Sequence, residues 1–476
     1  MTAHQDISND AIAQMHATLA AQKQAFLQKP NASLDVRIDR LKRLRSVLVD
    51  NKQEFCEAIS EDFTSRSVHE TMFGELLTVV SHIDLTIKHL GSWMKDEPRS
   101  MGLLQQPASG WVQYQPLGVV GIISPWNYPM VLSIGPMISA LAAGNHIMLK
   151  PSSNVPKYTE LLASTLKKVF AESLIYVVQG SGELSKQFSK MPFDQITFTG
   201  SSRVGKQIMR DAAENLTPVL LELGGKSPAI IHPSYSVEEA AVRLVFSKYW
   251  NAGQTCVAPD YIMVPKGQSK LFAKAFEKRI IHSYPNLLNN PDYTSMISSA
   301  QKQNVLGIIE DARANGATVE EVNPANERLD DSQKIAPHIV YDTDEDMRIC
   351  QEEIFGPVLL IKEYETIDQA LEYVAARPRP LAFYYFDNND ARAEFVAQNS
   401  ISGHFGINQS LTHVTQDDLP FGGVGNSGTG KYHGFEGFRT MSNARSVMKH
   451  GRIFPMRTIS PPFNKAHALI LKTLVR

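Results

Sequence analysis

A chain of 476 residues is too long for a single hydrophobic core and calls for about two or three domains. With 43% apolar and 20% charged residues the composition is globular, and a net charge of −2 removes the electrostatic case for nucleic acid or an anionic lipid surface as the main partner. Three cysteines, Cys56, Cys256 and Cys350, are too few and too scattered for a disulfide framework and point to a reducing compartment. No CxxC or HExxH spacing occurs, so no metal site is expected. The start, MTAHQDISND, lacks the basic and apolar segments of a signal peptide. No run of about eighteen apolar residues is available to span a membrane, and the closing AHALILKTLVR is too short for one. The expected location is cytoplasmic.

In chain order, apolar residues recur every third or fourth position from Ile12 to Phe26, from Leu34 to Leu48 and from Leu76 to Leu90, which predicts helices. Pro30 and Asn31 separate the first two, and Asn31 or Ser33 is placed to cap the second. The basic run RLKRLR (40–45) reads as the wet face of that helix. EPRSMGLLQQPASG reads as a connection, and WVQYQ (111–115) alternates like a short strand. From Leu117 the texture changes to continuous apolar runs. GVVGIIS, HIMLK (146–150), IYVVQ (175–179) and QITFTG (195–200) read as buried strands, with helices predicted at 134–144 and over VPKYTELLASTLKKVF. This alternation is the signature of a parallel α/β unit, and a second one follows from Leu221 with strands at KSPAIIH, YIMVP and PVLLIKEY.

Several segments carry candidate chemistry. In FTGSSRVGKQIM (198–209), Gly200 and Gly205 bracket a predicted turn from strand into helix, a recipe for holding a nucleotide phosphate; glycines also simply end strands. Cys256, in NAGQTCVAPDY, is framed by Gly253 and Thr255 and is either a nucleophile or a buried apolar cysteine. Glu222, in LLELGGKSP, interrupts an apolar run. It is either a base with a raised pKa or a glutamate at a strand edge. Asn127, in the rigid SPWNYP loop after a strand, offers an amide to a developing oxyanion, or the loop is a plain hydrophobic turn. KPS (150–152) leaves another strand, EEIFGPV (352–358) sets two carboxylates before an apolar turn, and GGVGNSGTGKYHG (422–434) is glycine-rich with no preceding strand.

Together, and in this order, PWN, KPS, FTGS with its second glycine, ELGGK, GQTC and EEIFGP resemble the aldehyde dehydrogenase superfamily, from about Leu34 to Arg445. DYTSMI (292–297), GQTCVAPDY and PFGGVGNSGTGKYHGFEGFRT resemble its class 3 branch. FLQKPNASLDVRIDRLKRL and QDDLPFGGVG with YHGFEGFRT are similar to bacterial coniferyl aldehyde dehydrogenases. The resemblance implies an α/β fold with a Rossmann-type coenzyme domain (1–105 and 117–221) and an α/β catalytic domain (222–430). A small β element for oligomerisation (106–116 and 431–450) and a tail (451–476) complete it. It implies Cys256 as nucleophile, Glu222 as general base, and an oxyanion hole made by Asn127 with the Cys256 N–H. Lys150, Ser152 and Ser153 would meet the adenosine ribose, with Trp126 also on the coenzyme. Gly200, Ser201 and Gly205 would lie at the pyrophosphate, and Glu353 at the nicotinamide ribose with Phe355 beside it.

The implied reaction is NAD(P)-dependent oxidation of an aldehyde to its acid, with coniferyl or another aromatic aldehyde, or a medium-chain aliphatic one, as substrate, in a homodimer. Tyr128, Tyr249 and Trp250 are candidates to line an apolar tunnel, or belong to the core. A CoA-acylating relative is the first alternative, but such enzymes commonly lack the base that Glu222 supplies. A long-chain fatty aldehyde enzyme is the second, but those often carry a C-terminal anchor longer than SPPFNKAHALILKTLVR. A protein reusing the fold without catalysis is disfavoured by the intact Cys256, Glu222 and Asn127. Many NAD-preferring relatives carry Glu where this chain has Ser153, and a hydroxyl repels a 2′-phosphate less than a carboxylate does. Oxidation is therefore expected with NADP as well as NAD; steady-state rates showing strict rejection of NADP would sink this reading.

Overall fold

The computed structural model describes residues 2–180, 182–452 and 460–475, with side chains from Asp10 onward. Residues 453–459 and 476 of the expected tail lie outside the described residues. The predicted N-terminal helices are present as Thr2–Gln28, Leu34–Asp50 and Leu77–Trp93. Leu41, Leu44 and Leu48 turn fully inward, Lys42 is exposed and Arg45 pairs with Asp84 at 2.7 Å, whereas Arg40 and Arg43 are half-buried, so the basic run is a solvated face only in part. No helix among the described residues is long and apolar enough to cross a membrane.

The first sheet has the spatial order Gly428–Thr429, Val219–Leu223, Gln195–Gly200, Val119–Ile123, His146–Lys150, Ile175–Val177. All pairs are parallel except the antiparallel edge formed by Gly428–Thr429. The second sheet runs Thr318–Glu321, His338–Tyr341, Val358–Tyr364, Tyr261–Pro265, Pro228–Ile231, Ala382–Phe386, His404–Ile407, again parallel but for its first strand. Helices cover both faces of each sheet, so the central strands are buried throughout and read as unbroken apolar runs. Each buried Val, Ile or Leu contributes about 1.5–3 kcal/mol of transfer free energy. The third sheet is small and antiparallel: Glu97–Arg99, Ser109–Pro116 and Ser442–Lys449.

The structure differs from the sequence reading at four places. The connection before the alternating strand itself contributes Glu97–Arg99 to the small sheet, although 1–105 was expected with the coenzyme unit. The glycine-rich loop within 222–430 contributes Gly428–Thr429 to the first sheet, beside Leu221 and Glu222. The helix Gly434–Thr440, expected in the oligomerisation element, packs instead on the helix Pro129–Ala143 and on Leu77–Trp93. Gly437 permits that approach, because a Cβ there would collide with Ser139 Oγ. Finally, Gly205 lies inside the helix Ser202–Ala213, not in a turn, and its added Cβ would sit 2.7 Å from Leu223. It sets helix-to-strand spacing.

One polar contact ties these layers together in the core. The five residues Met72–Leu76 form a π-helical turn that carries Glu75, and Glu75 Oε1 pairs with Arg66 Nη1 at 2.9 Å with both side chains fully buried. Glu75 Oε2 accepts the N–H groups of Met130 (2.7 Å) and Val131 (3.2 Å), at the start of the helix Pro129–Ala143. Arg66 Nη1 also donates to Asn127 O (3.0 Å), and its guanidinium lies 5.0 Å from the ring centroids of both Phe63 and Tyr128. Removing one member of a buried pair strands the other. Arg66→Met is therefore expected to cost about 3–5 kcal/mol, read as a lowered thermal unfolding midpoint, and Glu75→Gln in the same chain to restore part of the loss. A midpoint unchanged in Arg66→Met would show that the pair carries no such weight.

Candidate active site

Register brings the functional loops together. Ile123 aligns with Lys150 and Phe198, and Gly200 with Leu223, so the segments after these residues leave the same edge of the first sheet. Val119–Ile123 pairs both with the next strand in sequence and with Gln195–Gly200, which makes this edge a topological switch point. Ser201 precedes the helix Ser202–Ala213, whose first turn has no side-chain cap, so its N–H groups are available to an anion. A polar cavity opens here, lined by Trp126, Asn127, Gly200, Ser201, Glu222, Cys256, Glu353 and Phe355.

The other expected coenzyme residues stand off this lining. Lys150 is buried at the end of its strand, donates to Pro151 O (2.6 Å), and has its pKa lowered to about 8 by burial. Ser152 is half-buried, Ser153 is exposed, and Gly205 faces Leu223.

Cys256 is presented by a strained and heavily tethered loop. Asn251, Ala252 and Gly253 take φ of 54°, 51° and 73°, three successive left-handed residues. Gly253 admits no side chain, since a Cβ would collide with Gly356 O. Glu70 Oε1 accepts the Asn251 N–H at 3.0 Å, and Glu70 Oε2 accepts from the Thr294 hydroxyl at 2.6 Å. Gln254 Nε2 donates to Ser295 O (3.0 Å) and its Oε1 accepts the Ile297 N–H (3.0 Å), so the DYTSMI segment works as a clamp on this loop. Asn127 Nδ2 donates to Gln254 O at 3.1 Å, and Asn251 Nδ2 to Asn127 O at 2.9 Å. Thr255 Oγ1 and Tyr128 OH lie 2.7 Å apart. Asn127 and the loop that bears Cys256 are thus coupled through hydrogen bonds at Asn251 and Gln254.

The acidic groups around Cys256 are buried and resist ionisation. Burial pushes the Cys256 thiol up to about 12, with the charges of Glu353 and Glu222 adding to the shift. The backbone N–H groups of Cys256 and Val257 act in the opposite sense, as hydrogen bonds that favour a thiolate. Burial raises Glu222 well above the carboxylate range, opposed by the Lys431 ammonium and by the backbone N–H of Gly423. Glu353 is pushed up to about 8 by burial and by Asp260. Lys226 of the ELGGK segment pairs with Asp260 and donates to Glu352 O (2.8 Å), joining the Glu222 and Glu353 segments into one unit.

Cys256 also lines a second cavity on its other side, whose exposed lining is almost wholly apolar. Phe73, Tyr128, Phe246, Trp250 and Phe421 supply its aromatic walls. Tyr128 and Trp250 are therefore in the tunnel as expected, whereas Tyr249 belongs to the core, fully buried with its hydroxyl 3.3 Å from His338 O. Sequence reasoning missed Arg66, Glu70 and Glu75, whose partners are remote in the chain. Asn251 and Gln254 carried a signal in the polar NAGQTC run, which was read only for its cysteine.

The polar cavity suits a nicotinamide dinucleotide. Free helix N–H groups beside Gly200 and Ser201 fit a pyrophosphate, and off this lining, at the same sheet edge, Lys150 ends its strand with no carboxylate partner. Glu353 lies against Gly224, where a Cβ would collide with its carboxylate, and sits on the cavity wall facing Cys256.

Comparison with known proteins agrees with this geometry. The profile of the Aldehyde dehydrogenase family matches residues 3–447. A probable coniferyl aldehyde dehydrogenase of Pseudomonas aeruginosa is 44% identical over 470 residues, covering 98% of each chain. The dimeric NADP-preferring aldehyde dehydrogenase of Rattus norvegicus is 36% identical, covering 90% of this chain and 93% of the rat protein. The substrate-bound structure of Staphylococcus aureus AldH superimposes with a TM-score of 0.90 at 30% identity, covering 97% of this chain and 99% of that one. A family profile spanning nearly the whole chain, over a sheet edge shaped for a dinucleotide beside a thiol, leaves one assignment: the chain belongs to the aldehyde dehydrogenase family and is an NAD(P)-dependent aldehyde dehydrogenase.

Proposed function

We propose that this enzyme oxidises an aromatic aldehyde of the coniferyl type to its acid, through a covalent intermediate on Cys256. The observation that carries this reading is the position of Cys256 between two cavities of opposite character, one polar with Glu222, Asn127 and Glu353, the other apolar with aromatic walls. A planar conjugated aldehyde fits the second and presents its carbonyl to the sulfur. Similarity to the Pseudomonas aeruginosa protein, named for coniferyl aldehyde, supports the same substrate.

In this reading the Cys256 thiolate attacks the carbonyl carbon. The Cys256 N–H and Asn127 Nδ2 receive the developing oxyanion, and the tethers on both keep them in place without reorganisation. NAD or NADP, when bound in the polar cavity, supplies the hydride acceptor. Lys150, Ser152 and Ser153 would hold the adenosine ribose, Gly200 and Ser201 the pyrophosphate, and Glu353 the nicotinamide ribose, with Trp126 and Phe355 packed around it at a ring separation of 5.5 Å. Gly205 supports the pyrophosphate site by letting its helix approach Leu223. The thioester left on Cys256 is hydrolysed by water that Glu222 deprotonates, which favours acid release over transfer to CoA.

The small sheet ends in Ser442–Lys449, an eight-residue edge strand that is mostly exposed. We propose that it pairs across a homodimer, as the description of the rat relative as dimeric supports. A light-scattering mass of two chains is expected, and a single-chain mass would remove the proposal.

With coniferyl aldehyde, acid should form without added CoA. Cys256→Ala should abolish oxidation, whereas Glu222→Gln should still give a stoichiometric burst of reduced coenzyme but turn over at least about a hundredfold more slowly. Glu222 acts only when deprotonated and burial raises its pKa, so the native kcat should climb with pH above the ordinary carboxylate range. Native-like turnover and an unchanged pH profile in Glu222→Gln would show that the base is elsewhere.

A further inference from the structure

The apolar cavity beside Cys256 has an imidazole in its wall. His433 lines it, is only 3% exposed, and its Nδ1 has no hydrogen-bond partner. The other polar groups of that wall are largely spent within the protein. Tyr128 and Thr255 bond each other, Thr78 bonds Phe73 O and Gly74 O, Thr412 bonds Gln409, and Thr415 bonds Thr412 O. A buried imidazole without a partner loses its hydration and regains nothing, so its retention in an apolar wall asks for a ligand.

The backbone makes the same point independently. His433 is held at φ 80°, ψ 146°, a conformation that disfavours any residue with a side chain. The strain is sustained by packing: the ring stacks on Phe421 (centroids 5.2 Å) and meets Tyr432 (4.5 Å) and His82 (5.1 Å) edge-on. Behind it, Asp417 Oδ1 is also buried without a hydrogen-bond partner and stands 3.8 Å from His82 Nδ1, beyond hydrogen-bond reach. Of these three side chains His433 lines the cavity, with Asp417 and His82 behind it, and His433 Nδ1 and Asp417 Oδ1 leave hydrogen-bonding capacity unused. Burial keeps the His433 and His82 rings neutral, so the corner suits an uncharged hydroxyl and not an anion.

We propose that His433, backed by Asp417 and His82, is a specificity site that takes a hydroxyl at the end of the substrate remote from the aldehyde, the para-hydroxyl of a 4-hydroxyaryl or 4-hydroxycinnamyl aldehyde. This rests on the aromatic-aldehyde reading above and adds the residues that discriminate within that class. In a rigid conjugated aldehyde the carbonyl and the para-hydroxyl lie at opposite ends, so a carbonyl on Cys256 directs the hydroxyl to another part of the same cavity. His433 contributes a binding contact, and Asp417 is a positioning residue.

The test compares kcat/KM for coniferyl aldehyde with that for 3-methoxycinnamaldehyde, which lacks only the hydroxyl, in the native holoenzyme and in His433→Leu and Asp417→Asn. A ratio taken within one variant cancels any loss of active protein. The native ratio should be about tenfold to a hundredfold in favour of the hydroxyl, as expected when a buried partner is left unpaired by the analogue. It should fall to near unity in His433→Leu and to an intermediate value in Asp417→Asn, mainly through KM. A native ratio near unity, or a native-like ratio in His433→Leu, overturns the assignment while leaving aromatic aldehyde oxidation standing. If neither cinnamaldehyde is oxidised but octanal is, the aromatic reading falls and takes this one with it.

Discussion

Arg66 and Glu75 meet in the interior with both side chains fully buried, and the geometry of the reaction centre follows from where they meet. Taking two charges out of solvent costs several kcal/mol per ion, so the pair is a poor source of stability in itself. Its effect is to fix a position. Glu75 pins the first N–H groups of the helix Pro129–Ala143 and Arg66 pins Asn127 O, so the loop between strand and helix has no freedom to drift. From there the constraint passes through Tyr128 to Thr255 and through Asn127 to Gln254, the two residues that precede Cys256.

The electrostatics of the centre are those of crowded, dry acids. Cys256, Glu222 and Glu353 each ionise with difficulty because each is desolvated, and the thiol also feels both carboxylates. Such groups hold their protons until a ligand or a change of local charge releases them, which suits the proposed order in which the thiol ionises first and the carboxylate acts later. Lys431 is the nearby cation that moderates the Glu222 carboxyl, and Lys226 ties its segment to that of Glu353.

Much of the frame was legible in the sequence because parallel strands buried on both faces leave unbroken apolar runs, as at HIMLK and QITFTG. Their carboxyl ends then predicted that the loop bearing Asn127 and the strand end at Lys150 share one sheet edge. What escaped has a common physical character. Glu75 accepts the Met130 N–H fifty-five positions later, and Glu70 holds a loop 181 positions away, so neither has a local pattern. Gly205 was misplaced because a glycine inside a helix and one in a phosphate loop look alike until the neighbouring strand is known. Gly428–Thr429 is too short for any periodicity. Tyr249 and Trp250 are adjacent, yet one fills the core and the other faces the tunnel, a choice set by the kink after the helix Val237–Tyr249.

The antiparallel edge at Gly428–Thr429 has a consequence for how the protein is made. The strand bearing Glu222 emerges from the ribosome early, but its outer neighbour is not synthesised until every strand of the second sheet has been translated. Until then the strand carries an unpaired edge of the kind that recruits other chains. Glu222 therefore gains its outer neighbour in the sheet only after Cys256 and every strand of the second sheet have been translated.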